Sequence, residues 1–133
     1  MPRLTITTRS RCELIDISSM VARLVPAELK CGICHLHSLH TTAALTVNEN
    51  ADPDVKHDLL AKLAALIPHD ESFYRHMEGN SDAHLKASLM GFSLTVPVRN
   101  GELLLGTWQG IYLCEFDGPR TRKVEVCFQE AFE

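Results

Sequence analysis

The chain carries a clear β-hairpin pattern at Phe92-Ser-Leu-Thr-Val-Pro-Val-Arg-Asn-Gly-Glu-Leu-Leu-Leu-Gly-Thr107. Apolar and polar residues alternate over Phe92–Val98, which is the period of a half-buried β-strand. Asn100-Gly101 follows, the strongest short signal for a two-residue hairpin turn, and Glu102–Thr107 returns as the second strand. The stretch therefore predicts an antiparallel β-hairpin.

Strand patterns continue on both sides of this hairpin. Towards the C-terminus, Tyr112–Phe116 and Val124–Phe128 flank the turn residues Asp117-Gly118-Pro119, which predicts an antiparallel meander. Towards the N-terminus, the alternation in Leu4–Thr7 and Cys12–Asp16 predicts an opening strand pair. Two further strands are predicted at Cys31–Ser38 and Ala43–Asn48.

Helical signals lie in the first two-thirds of the chain. Asp52-Pro53 is a capping residue followed by a proline in the first turn, and apolar residues recur every four positions from Val55 until Pro68. Two shorter helices are predicted, one ending near Pro26 and one starting at Ser81 or Asp82 and ending at Gly91. The predicted fold class is α+β, with mostly antiparallel sheets and two to three helices in a single domain spanning residues 1–133.

Composition excludes several classes of protein. A net charge of −4 with lysines and arginines spread along the chain argues against nucleic-acid binding. No apolar run approaches the roughly 20 residues that cross a bilayer, so no membrane association is predicted and a cytosolic protein is expected. The five cysteines are an odd number, which favours reduced thiols. Cys31-Gly32-Ile33-Cys34 runs into a strand and does not favour a redox or zinc motif.

Three of the seven histidines lie beside acidic or amide residues at predicted element ends: His40, His76 and His84. Neutral imidazole is the commonest protein metal ligand, and three histidines with one open position form a known catalytic zinc site. The alternative is that each is a separate surface or capping residue, which is also the interpretation of the remaining histidines, at positions 35, 37, 57 and 69.

Two segments are rich in amides and carboxylates. Asn48–Asp54 surrounds a predicted helix N-terminus, where backbone N–H groups favour an anionic substrate. The alternative, a turn and capping cluster, explains Asp52 and Pro53 fully but Asn48, Glu49 and Asn50 less well. Glu78–His84 carries more functional groups than a helix cap requires, and Asp82 and His84 are candidates to bind or orient a metal.

A third cluster, Gly106–Ile111 and Glu115–Arg122, contains two arginines beside two carboxylates. The planar guanidinium matches phosphate oxygens, while Glu115 and Asp117 are candidates for cation binding or proton transfer. The alternative is a hairpin turn closed by surface ion pairs.

Taken in order, five segments closely resemble the YjbQ-like, or secondary thiamine-phosphate synthase, family: His40–Ala44, Asn48–Val55, His76–His84, Gly106–Gln109 and Glu115–Arg122. The resemblance covers nearly the whole chain. It implies a compact α+β subunit that assembles as a cytosolic homotrimer. It also implies a weak thiamine-phosphate synthase activity, which joins a hydroxymethylpyrimidine diphosphate to a thiazole phosphate with loss of pyrophosphate.

By analogy with that reaction, we assign roles to the polar residues. His40, His76 and His84 are expected to bind a divalent metal, zinc or magnesium. Proton-transfer and other catalytic roles are expected among Glu49, Asp82, Glu115 and Asp117. Contacts to a small phosphorylated metabolite are expected from Asn48, Asn50, Gln109, Arg120 and Arg122. Two alternatives stay open: a metal-dependent hydrolase with Glu78 or Glu49 as base, and a non-enzymatic trimer that binds a metal or small molecule.

Overall fold

A computed structural model describes residues 1–132 of the chain. Its strands are β1 (Arg3–Thr7), β2 (Glu13–Asp16), β3 (Cys31–Ser38), β4 (Ala43–Glu49), β5 (Ser93–Arg99), β6 (Glu102–Leu103), β7 (Gln109–Glu115) and β8 (Thr121–Glu130). Its helices are α1 (Ser18–Ala22), α2 (Pro53–Leu66) and α3 (Ser81–Met90). The predicted α+β class is confirmed. No helix within residues 1–132 is long and apolar enough to cross a membrane.

The strands form two antiparallel sheets. One has five strands in the order β1-β8-β3-β5-β6, and the other has three in the order β2-β7-β4. The sheets pack face to face around one apolar cluster, while α2 and α3 pack against the opposite face of the three-stranded sheet around a second cluster. The molecule therefore has three layers, with the smaller sheet in the middle.

Strand β7 shows how the sequence builds the middle layer. Ile111 and Leu113 belong to the cluster between the sheets, whereas Tyr112 and Cys114 belong to the cluster beneath the helices. Side chains alternate across a strand, so a strand that is covered on both faces is apolar along most of its length.

The hairpin predicted around Asn100-Gly101 is confirmed. Strands β5 and β6 pair in antiparallel register, and both turn residues have positive φ, 54° at Asn100 and 78° at Gly101. Positive φ at both central positions is what this turn type requires, and asparagine and glycine tolerate it best. The returning strand is shorter than predicted, because β6 ends at Leu103 and not at Thr107.

The predictions of an opening strand pair and of a terminal meander are wrong. Strand β1 pairs with β8, whereas β2 pairs with β7, so consecutive strands lie in different sheets at both ends of the chain. The connections 8–12 and 116–120 cross between the sheets side by side, joined by the Thr8 N–H to Arg120 carbonyl hydrogen bond (2.8 Å) and the Gly118 N–H to Arg11 carbonyl bond (3.0 Å). A Cβ at Gly118 would lie 2.2 Å from the carbonyl oxygen of Ser10, so only glycine allows this approach.

Helices α2 and α3 match their predicted limits, whereas α1 ends at Ala22, four residues before Pro26. Asp52 caps α2 by accepting a hydrogen bond from the Asp54 backbone N–H at 2.9 Å. Helix α3 buries the small and charged residues Asp82, Ala83, Lys86 and Ala87. Its leucines point to solvent instead, Leu85 being 48% and Leu89 63% exposed.

Candidate functional site

Three connections meet at one end of the middle sheet and enclose a polar cleft of about 390 Å³. They are the β3–β4 connection, the β7–β8 connection and the segment before α3, and they meet because Ala43 at the start of β4 pairs with Glu115 at the end of β7. The cleft is lined by Leu39, His40, Thr41, Thr42, His76, Glu78, Asn80, His84, Asp117, Arg120 and Arg122. We call this site the polar cleft.

A buried ion pair forms the floor of the polar cleft. Arg122 shares the inward face of β8 with Val124 and Val126, and its guanidinium forms a two-point contact with Glu115, which is 0% exposed. The Glu115 carboxylate also accepts hydrogen bonds from the Thr8 hydroxyl at 2.7 Å and the Asp117 backbone N–H at 3.0 Å. Both of its oxygens are occupied, which favours a structural role for Glu115 over the proton transfer predicted from sequence.

These contacts give the protein an acid-labile element. Burial raises the pKa of Glu115, but hydrogen bonds from Arg122, Thr8 and the Asp117 backbone outweigh it and leave the pKa below its ordinary value. A carboxyl whose pKa is depressed on folding stabilises the protein above its unfolded-state pKa, and that contribution is lost as the pH falls through the folded-state value.

We expect the urea midpoint of unfolding to fall as the pH is lowered from about 5 to about 3, the range in which unfolded glutamate takes up a proton. Urea titrations followed by circular dichroism at these pH values measure the shift. The Glu115→Gln protein should show a flatter dependence, and an equally steep one would mean that other carboxyls cause the loss.

The wall of the polar cleft holds a network centred on Asp117. Its carboxylate accepts hydrogen bonds from Arg120 at 3.0 Å and from the Asn80 amide nitrogen at 2.7 Å. The Arg120 side chain remains 51% exposed, so its guanidinium can bind an anion. The Asn80 residue is 5% exposed, and its Oδ1 is the one buried side-chain polar atom without a partner within residues 1–132. A ligand donor at this atom would satisfy it.

His40 lines the cleft with one ring nitrogen already engaged. Its Nε2 accepts a hydrogen bond from the Lys123 backbone N–H at 2.8 Å. An accepting Nε2 carries no proton, so in the neutral ring the proton is assigned to Nδ1. Burial, followed by the positive charge of Arg122, lowers the pKa of His40 and favours this neutral form. His40 is therefore a hydrogen-bond donor in this arrangement.

The other two predicted metal ligands are close to each other. The rings of His76 and His84 lie edge to face with centroids 5.3 Å apart, and Nε2 of His76 is 3.8 Å from a Glu78 carboxylate oxygen. Within residues 1–132, no three histidine, cysteine or acidic side chains surround a common point suited to a metal ion. Because His40 would also have to release Lys123, the geometry does not fit a three-histidine metal ion. The metal site stays a prediction.

Asp82 lies outside the polar cleft. Its fully buried carboxylate binds the Arg11 guanidinium at 2.9 and 3.0 Å and the Lys86 ammonium at 3.1 Å. Burial raises its pKa, but the hydrogen bonds from Arg11 and Lys86 outweigh this effect and lower the pKa below its ordinary value. The contacts join α3 to the connection between β1 and β2, which is a structural role.

Four predicted site residues lie at the opposite end of the middle sheet: Asn48, Glu49, Asn50 and Gln109. Glu49 pairs with Gln109, six residues along β4 from the Ala43–Glu115 pair, so the two ends are about 20 Å apart. The Glu49 carboxylate accepts the Asp52 backbone N–H at 3.3 Å, and Gln109 accepts that of Gly106 at 2.8 Å. In the structure these residues form local contacts away from the polar cleft.

Sequence reasoning did not select three residues that shape the site. Thr42 accepts a hydrogen bond from Arg122 at 2.8 Å, Thr8 binds Glu115, and Asn80 supplies the unpartnered oxygen. Asn80 stands in a segment already marked by its polar density, which was a usable signal. Nothing local marks Thr8, which reaches Glu115 across 107 positions of sequence.

The fold and the cleft define a class of three-layer α+β proteins with a histidine- and arginine-lined site where the chain crosses between sheets. A family model described as "UPF0047 protein YjbQ-like" matches residues 2–131. The UPF0047 protein YugU of Bacillus subtilis is 52% identical over 120 residues, 90% of this chain and 91% of that protein. The UPF0047 protein MJ1081 of Methanocaldococcus jannaschii is 50% identical, over 91% of this chain and 88% of that protein.

Solved structures of similar proteins have the same fold. An uncharacterised YjbQ/UPF0047 protein from Clostridium acetobutylicum superposes with a TM-score of 0.94 at 46% identity, covering 97% of this chain and 100% of that one. The conserved hypothetical protein TT1486 of Thermus thermophilus gives a TM-score of 0.91 at 42% identity, with the same coverage. The chain belongs to the UPF0047, or YjbQ-like, family.

Proposed function

We propose that this protein is a transferase for small phosphorylated metabolites and that it binds their anionic group in the polar cleft. The observation that carries the proposal is the half-exposed Arg120 guanidinium, set in the same cleft as three histidines and the unpartnered Asn80 oxygen. Guanidinium binds phosphate oxygens in a two-point contact, and imidazole N–H groups add further donors.

Thiamine-phosphate synthesis is the particular reaction that the resemblance implies. A carbon–oxygen bond to diphosphate breaks, a carbon–nitrogen bond to the thiazole forms, and pyrophosphate leaves with the bonding electrons. Donors fixed around the leaving group lower the barrier, because negative charge develops there in the transition state. Arg120 and His40, with its proton assigned to Nδ1, are the residues we expect to supply them.

The proposal retains a divalent cation, zinc or magnesium. His76 and His84 are its expected protein ligands, since His40 is engaged with Lys123. Diphosphate oxygens of the substrate would supply the oxygen ligands that a hard cation such as magnesium prefers. The homotrimer and the cytosolic setting belong to the same proposal, and sedimentation velocity tests the first of them.

Purified protein given both thiamine precursors, with zinc or magnesium added, is expected to form thiamine phosphate, measured by chromatography. Arg120→Met should lower kcat/KM by about 10- to 100-fold, the range for losing a charged hydrogen bond. Arg99→Met is the matched control, because Arg99 is exposed in the β5–β6 hairpin and does not line the cleft. No product with any metal would refute the transferase proposal.

A second candidate is a metal-dependent hydrolase. Its support is Glu78, whose carboxylate is 67% exposed at the cleft and lies 3.8 Å from His76, a placement suited to a general base for water. A panel of small phosphate and amide substrates should then show hydrolysis that Glu78→Gln abolishes. Binding of phosphate without turnover of any substrate would instead favour the non-enzymatic binding protein.

A further inference from the structure

A second cavity adjoins the polar cleft and differs from it in chemistry. It has a volume of about 550 Å³ and is lined by Phe73, Tyr74 and Leu85, with Arg75 and Ser81 at its margin. His76 and His84 line both cavities, so the two sites share one histidine pair. We call this second cavity the aromatic pocket.

The aromatic pocket is held open by ordered contacts. The rings of Phe73 and Tyr74 pack edge to face, with centroids 5.2 Å apart and planes at 79°. The Tyr74 hydroxyl donates a hydrogen bond to the Pro68 carbonyl at 3.2 Å, which fixes one side of the segment between α2 and α3. The pocket is therefore a formed feature of this segment.

The same pocket leaves apolar surface in contact with water. Phe73 is 71% exposed and Leu85 is 48% exposed. Helix α3 could have buried its leucines against the middle sheet, but it buries Asp82 and Lys86 there and directs the leucines outward. Clustered exposed apolar residues beside a polar site are typical of a ligand-binding surface.

We propose that the aromatic pocket is the second half of the substrate site and holds a flat aromatic ring whose phosphate group lies in the polar cleft. The inference rests on the proposed function, which places the anion. The volume of the aromatic pocket lies in the usual range for small-molecule sites, about 300–1,000 Å³. Phenylalanine, tyrosine and histidine rings on its walls offer the edge-to-face and stacked contacts that planar rings favour.

Continuity with the polar cleft favours a small molecule over a polypeptide or a second copy of the chain. A ligand bound beside His76 and His84 can place an apolar part in one cavity and an anionic part in the other, because the two histidines line both. Arg120 on the cleft side matches the charge of such a ligand, while the aromatic pocket matches its ring.

The test compares the dissociation constants of phenyl phosphate and inorganic phosphate by titration calorimetry. Phenyl phosphate should bind the intact protein about tenfold more tightly or better, since its ring is removed from water. Phe73→Ala and Leu85→Ala should each remove most of that preference and leave binding of inorganic phosphate unchanged. Phe132→Ala is the matched control, because Phe132 is fully exposed near the C-terminus.

Equal affinity for both probes would overturn the aromatic pocket and leave the anion site standing. Failure of both probes to bind would overturn the two proposals together. Sedimentation velocity of Phe73→Ala supplies the remaining outcome: loss of an assembled state present in the parent protein would make the pocket a contact between copies and overturn the inference.

Discussion

Replacing Glu115 with glutamine is expected to lower the free energy of unfolding by about 3–5 kcal/mol, because the substitution leaves the Arg122 charge buried without its partner. Arg122 is 2% exposed and Glu115 is 0% exposed, so water cannot compensate the loss. The Thr8 hydroxyl and the Asp117 backbone N–H also donate to the same carboxylate, and a neutral amide accepts these bonds less strongly. Urea unfolding at pH 7 measures the change.

A matched control lies on β8, the strand that also carries Arg122. Glu125 on β8 binds Arg3 on β1 at 2.6 Å, but the side chains of that pair are 24% and 49% exposed. Exposed pairs contribute about 0–1 kcal/mol, so Glu125→Gln should shift the urea midpoint little. Equal losses in the two variants would contradict the claim that burial makes the Glu115–Arg122 pair important.

Local signals in the sequence were sufficient for several elements. Asp52-Pro53 fixes the start of α2 because one residue supplies the cap and the next has the φ of a first turn. Asn100-Gly101 fixes the β5–β6 turn because both residues accept positive φ. In each case the deciding energy lies within a few neighbouring residues, which is why the pattern alone was enough.

Strand partners were not predictable in the same way. The alternation in β1 and β2 shows that both are strands, but the same alternation suits any antiparallel partner. Their partners, β8 and β7, lie more than 90 residues away, and the choice depends on which sheet each strand completes. The opening hairpin was therefore the simplest pairing and the wrong one.

The sequence predicted the candidate site only in part, because strands that are distant in sequence decide which residues share the polar cleft. One cleft is lined by His40, His76 and His84 together with Asp117, Arg120 and Arg122. These six residues are spread over more than 80 positions of the sequence. Asn48, Glu49, Asn50 and Gln109 carry equally polar side chains, yet the length of β4 and β7 places them at the far end of the sheet. The chemistry of the residues identified the candidates, and the geometry of the strands determined which of them line the polar cleft.

Asp82 gives the second large effect, because its carboxylate serves two cations inside the protein. Asp82→Ala should lower the free energy of unfolding by about 3–5 kcal/mol, since it leaves the Lys86 ammonium buried and unpaired beside Arg11. Lys86→Met should cost less, because Arg11 still neutralises the carboxylate and the methionine fills a similar volume.

Adding Lys86→Met to Asp82→Ala removes the stranded charge as well as its partner, so the double variant should lose less stability than the sum of the two single losses. Urea unfolding of the three variants and the parent protein gives this coupling energy directly. Strictly additive losses would show that Lys86 and Asp82 do not stabilise each other.

The catalytic role predicted for Asp82 makes a separate prediction, a loss of product formation by Asp82→Asn under conditions where that variant is fully folded. The buried position instead predicts a loss of stability, because the side chain reaches Arg11 and Lys86 and not the polar cleft.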